Sequence, residues 1–70
     1  MEGRNSGKAP VREGEVLDLQ IETIGTKGDG MAKIEGFVIF TPKTEQGRDY
    51  KVKITKVLAR VAFAEVVEEL

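Results

Sequence analysis

The sequence predicts an all-β chain: a small five-stranded antiparallel barrel preceded by a flexible arm. Three observations predict it. Apolar and polar residues alternate with period two in the two longest patterned runs. No segment combines helix caps with a helical apolar stripe. Finally, five short strands in 70 residues favour closure, which removes the exposed edges that would otherwise pair between chains.

Residues 1–13 carry glycine, serine and proline and have no apolar period, as expected of a flexible arm. Residues 14–70 form the barrel. Leu17, Leu19 and Ile21 alternate with Asp18, Gln20 and Glu22 in strand one. Gly25, Gly28 and Gly30 then bend the chain, with Asp29-Gly30 as a turn signal in which glycine supplies a positive φ. "MAKIE" forms strand two. Gly36 turns it into "FVIFT", strand three, which Pro42 ends because proline cannot donate to a ladder. The expected inner residues of that strand are Val38 and Phe40, leaving Phe37 and Ile39 outside. "KTEQGRD" is a loop. In strand four, Tyr50, Val52 and Ile54 alternate with Lys51, Lys53 and Thr55. "RVAFAEVVE" is strand five rather than a helix, because valine and phenylalanine oppose the helical preference of its alanine and glutamate. Its inner face is Ala62, Ala64 and Val66, and Phe63 points out.

Composition excludes several functions. With neither cysteine nor histidine there is no disulfide framework, no thiolate zinc site and no nucleophile–histidine dyad. No metal or cofactor is expected. "GTKGDG" precedes a strand rather than a helix, so it does not fit a dinucleotide or P-loop site. Glu68 and Glu69 adjoin, and Glu45 and Asp49 flank a turn, but no apolar pocket surrounds them to tune a pKa, so no enzyme is expected. No apolar run reaches the roughly 18 residues of a membrane span, and the N-terminus lacks a signal-peptide core. The expected location is the cytoplasm.

Net charge is −1, yet its distribution is uneven. Lys43, Arg48, Lys51, Lys53, Lys56 and Arg60 lie between Gly36 and Arg60 against only Glu45 and Asp49, inside an acidic frame. One reading is a solvated strand face. The other is a basic groove beside exposed aromatics, the combination that holds single-stranded nucleic acid.

The ordered run from Gly14 to Glu68 resembles a TRAM domain. The resemblance is carried by Gly28-Asp29-Gly30-Met31-Ala32-Lys33, by Gly36-Phe37-Val38-Ile39-Phe40, by Pro42 and Gly47, and by "YKVKITKV" and "FAEVVE". Thr41 and Arg48 depart from the family pattern, which often has valine and an acidic residue there. The resemblance implies an OB-like barrel that binds RNA, tRNA or rRNA among the targets, and, for a stand-alone archaeal protein, a monomer acting as a cold-shock-like RNA chaperone. It also implies that strands three and five are neighbours, so that Phe37 and Phe63 share a patch. The expected RNA-binding residues are Lys27, Lys33, Phe37, Arg48, Lys51, Lys53, Lys56, Arg60 and Phe63. The alternative is an accessory module that docks protein through its apolar patch in an RNA-modification or translation assembly.

Overall fold

The structure, a computed structural model, describes residues 10–70. The expected arm therefore lies mostly outside the described residues. Its last part is not arm-like: Val11 is 3% exposed and belongs to the core, and the Gly14 N–H donates to the Ile54 carbonyl at 2.6 Å. Removing that valine from water is worth more than its freedom in a tail, so the folded part begins before Gly14.

The described residues form one all-β sheet of six strands: β1 (Val16–Gln20), β2 (Thr23–Ile24), β3 (Gly30–Ile34), β4 (Phe37–Thr41), β5 (Asp49–Val57) and β6 (Val61–Glu69). Their order is β1-β5-β6-β4-β3-β2. The expected first strand is thus two strands on opposite edges of the sheet, separated only by Ile21 and Glu22. The change of partner happens within one peptide. Ile21 bonds the loop before β5, donating to the Arg48 carbonyl at 3.0 Å and accepting from the Gly47 N–H at 2.7 Å. The Glu22 N–H donates instead to Met31 of β3 at 2.9 Å. Because consecutive residues hold both edges, the sheet must curl, and Ile21, fully buried, lies at the bend. The pairing is not wholly antiparallel either. β6 returns between β5 and β4, antiparallel to β5, and so runs parallel to β4.

Leu19, Ile21, Ala32, Ile39, Tyr50, Val52, Ile54, Ala62 and Ala64 fill the inside, as alternation required for β5 and β6. Two irregularities interrupt the β5–β6 ladder. Thr55 is an extra residue between the pairs Ile54↔Ala64 and Lys56↔Phe63, and Val67 between Val52↔Val66 and Lys51↔Glu68. Bulges of this kind re-aim side chains. The bulge at Thr55 lets both Ile54 and Val57 pack inward, while Lys56 stays exposed opposite Phe63. The Thr55 hydroxyl secures it by donating to the Phe63 carbonyl at 3.1 Å.

The orientation of β4 is the reverse of the expectation. Ile39 and Thr41 are fully buried and Phe37 packs against the core, whereas Val38 and Phe40 lie on the outer face. The turn before β4 explains this. Glu35 and Gly36 both hold positive φ, 48° and 89°, as a two-residue hairpin of type I′ requires. Such a turn pairs Ile34 with Phe37, on one face. Lys33 points to solvent, so Ile34 and Phe37 point in.

Thr41 carries a cost. Its hydroxyl is buried and has no hydrogen-bond partner among the described residues. An unmet buried hydroxyl costs about 1–3 kcal/mol. Thr41→Val keeps the branched shape and removes that group. Its midpoint of thermal unfolding should rise by about 4–8 °C if about 1 kcal/mol is recovered. A midpoint at or below that of the parent would mean the hydroxyl is satisfied.

Candidate nucleic-acid interface

The outer face of the sheet carries one row of residues running across five strands. Thr23 pairs with Met31, Met31 with Phe40, Phe40 with Phe63, and Phe63 with Lys56. Neighbouring strands are about 4.8 Å apart, so the row is continuous. At its centre the rings of Phe40 and Phe63 stack with centroids 5.6 Å apart and planes inclined by 27°. Phe63 is 39% exposed and Phe40 half-buried, so ring surface remains open to solvent. The next row holds Lys33, Val38 and Val61. Arg60 enters beside it, its carbonyl accepting from the Val38 N–H at 3.2 Å.

The first loop closes one end of this surface. Gly25 accepts from the Gly28 N–H at 2.9 Å and donates to the Asp29 carbonyl at 2.8 Å, and Gly28 has a φ of 91°. The positive φ of this turn therefore sits at Gly28 and not at Gly30. Ile24, Gly25, Thr26, Lys27, Asp29, Met31 and Phe40 line an open groove of ≈ 460 Å³ against the loop.

Lys27, Lys33, Lys56, Arg60 and Phe63 are thus gathered around one surface, and none of these cations forms a salt bridge among the described residues. The other expected residues lie elsewhere. Phe37 faces the core. Arg48 contacts Glu45 and Glu69, each at 3.3 Å, and lies 5.9 Å from the centre of the Tyr50 ring. Its guanidinium is held above its ordinary pKa, first by the hydrogen bond to Glu45 and then by the electrostatic influence of the nearby Tyr50 oxygen and of the Glu45 and Glu69 carboxylates. Lys51 stands between Asp18 of β1 and Glu68 of β6, with its Nζ 3.9 Å from the Glu68 carboxylate. Lys53 is opposite Glu65. The outer surface therefore has two halves: an apolar, cation-bordered half on β3, β4, the end of β5 and the start of β6, and a charge-balanced half on β1, the start of β5 and the end of β6.

Sequence reasoning missed Phe40 and Met31. The missed signal is the charge of Lys33 combined with the two-residue turn: an outward lysine three positions before Gly36 leaves Phe37 inside and Phe40 outside.

The family comparison matches residues 10–67 to the TRAM domain. An uncharacterized protein of Methanocaldococcus jannaschii is 52% identical over 56 residues, covering 80% of this chain and 73% of that one. Translation initiation factor 2 subunit beta of Methanothrix thermoacetophila is 47% identical over 58 residues. Ribosomal RNA large subunit methyltransferase E of Haloarcula marismortui is 49% identical over 59 residues. The matches span 83% and 84% of this chain but only 28% and 22% of those longer relatives. The solution structure of a conserved protein of Methanococcus maripaludis superposes with a TM-score of 0.80 at 45% identity, covering 86% of each chain. The chain belongs to the TRAM domain family and shares the fold of its small archaeal members.

Proposed function

We propose that this protein binds single-stranded or locally unpaired RNA with low sequence preference and acts as an RNA chaperone, as a cytoplasmic monomer. The observation that carries the reading is the stacked Phe40–Phe63 pair on an outer sheet face bordered by Lys27, Lys33, Lys56 and Arg60. Every base has a π-face, so exposed aromatic rings hold unpaired bases of any identity, while cations neutralise phosphate. In OB-like barrels the same strands and loops form the usual binding face. A protein that takes up unpaired strands draws RNA out of wrong pairings by mass action, without a nucleotide cofactor. Relatives named as a ribosomal RNA methyltransferase and a translation initiation factor support an RNA setting.

The test is a titration of fluorescent single-stranded RNA at several salt concentrations, paired with opening of a fluorescent hairpin. Affinity should fall linearly on a logarithmic salt scale. Lys33→Ala and Arg60→Ala should each flatten that slope by about 0.7–1 unit, for all sequences alike. Arg48→Ala and Lys51→Ala should flatten it less, since their charges are already matched by Glu69 and Glu68. Affinity that ignores salt would exclude phosphate contacts and turn the apolar face into a protein-docking patch.

A further inference from the structure

We infer that the groove between the first loop and Phe40 is a base-reading subsite that ranks guanine above the other bases. The inference rests on the RNA-binding reading and deepens it at one position; stacking and phosphate contacts elsewhere stay indifferent to sequence.

The groove is lined by an aromatic residue from the sheet and by polar residues from the loop. Met31 of β3 and Phe40 of β4 line it from the sheet, and Thr26, Lys27 and Asp29 line it from the loop. Its volume, ≈ 460 Å³, lies within the range of about 300–1,000 Å³ typical of small-ligand clefts. The loop is braced by its own backbone, the Asp29 carbonyl accepting from the Gly25 N–H at 2.8 Å. That leaves the Asp29 carboxylate, which makes no hydrogen bond or salt bridge with the other described residues, available to a ligand.

A carboxylate repels phosphate, so the Asp29 side of the groove does not suit the RNA backbone. It accepts hydrogen bonds and suits a base edge that donates them. Guanine is the one standard base whose Watson–Crick edge carries two adjacent donors, N1–H and N2–H, which match the two oxygens of a carboxylate. In adenine and cytosine the exocyclic amine adjoins a ring acceptor, and uracil N3–H lies between two carbonyls, so each would face Asp29 with a lone pair. Guanine O6, next to N1–H, is an acceptor for the ammonium of Lys27. A base stacked on Phe40 with its edge toward the loop meets both groups, and unpaired bases are recognised in this way, by stacking and by their Watson–Crick edges.

The experiment uses the full chain and short uridine tracts with a single central guanine, adenine, cytosine or inosine, followed by fluorescence anisotropy at fixed salt. The guanine tract should bind about ten-fold more tightly than the all-uridine tract, the scale of one bidentate base contact. Inosine, which lacks the N2 amine, should lose most of that advantage, and this arm needs no variant protein. Asp29→Asn, with one acceptor in place of two, should abolish the ranking while leaving all-uridine binding at least as tight as before. Equal affinities for the four tracts, or a guanine advantage that survives both inosine and Asp29→Asn, would overturn the subsite while leaving the RNA-binding reading intact. Failure of every tract to bind would overturn both.

Discussion

Gly30→Val should lose most of the stability of this small barrel. Gly30 is buried in β3, and a Cβ there would meet the Thr44 hydroxyl and, at 2.9 Å, Cγ2 of Ile21. Neither neighbour has room to retreat. Thr44 is 8% exposed, and its hydroxyl donates to the Thr41 carbonyl at 3.0 Å. Ile21 is fully buried at the bend where the chain passes from one sheet edge to the other. Overpacking a closed core costs about 1–3 kcal/mol and occasionally more, and a branched side chain set against two fixed partners belongs at the upper end. A 70-residue domain holds only about 3.5–10 kcal/mol in total at typical values per residue. The measurement is urea unfolding followed by circular dichroism. The cause is separable by a double-mutant cycle: Thr44→Ala should recover part of the loss in Gly30→Ala, because it removes the nearest clashing atom. An unfolding midpoint for Gly30→Val equal to that of the parent would show that the space exists after all.

Phe40→Ala and Phe63→Ala should each weaken single-stranded RNA binding about ten-fold, with the fold kept. Stacking one base is worth about 1–3 kcal/mol by alanine substitution. Both rings lie on the outer face, so their loss opens no internal cavity, although it forfeits their mutual contact, about 0.5–1.5 kcal/mol for an aromatic pair. Because the rings touch, the double variant should fall short of the sum of the two effects. Duplex RNA should be affected less, since its bases already stack on one another. Phe37→Ala is the contrasting case. Its ring packs against the core, so the expected loss is in unfolding midpoint, with affinity per folded molecule unchanged. Titration of all three variants against single-stranded and duplex RNA at one salt concentration decides between them. Wild-type affinity in folded Phe40→Ala and Phe63→Ala would remove the stacking platform.

Much of this architecture was legible in the chain itself. Alternation identified the inner residues Tyr50, Val52 and Ile54 of β5, and Ala62, Ala64 and Val66 of β6, because there a charge or a small residue marks each face. The exposure of Lys27, Lys56 and Arg60 was legible as well, because a charged side chain stays in water unless it is paired. The ordered motif from Gly28 to Gly47 pointed to the family. Four matters were decided only in three dimensions. "FVIFT" has no charged position, so period two cannot tell its faces apart; the Glu35-Gly36 turn and the pairing Ile34↔Phe37 set them, and they exchange the roles expected of Phe37 and Phe40. The break of the first strand at Ile21–Glu22 exists because the sheet curls and two different strands compete for one stretch of chain. Gly30 is required by Thr44 and Ile21, which reach it only through folding, and not by its own φ. Lys51 and Arg48 look as available in the sequence as Lys33 does, yet Glu68 and Glu69 are brought across the sheet to meet them. Local pattern reports which side of its own strand a residue occupies. Which strand lies next door is set by long-range pairing, and with it the neighbours that bury a ring, crowd a glycine or neutralise a charge.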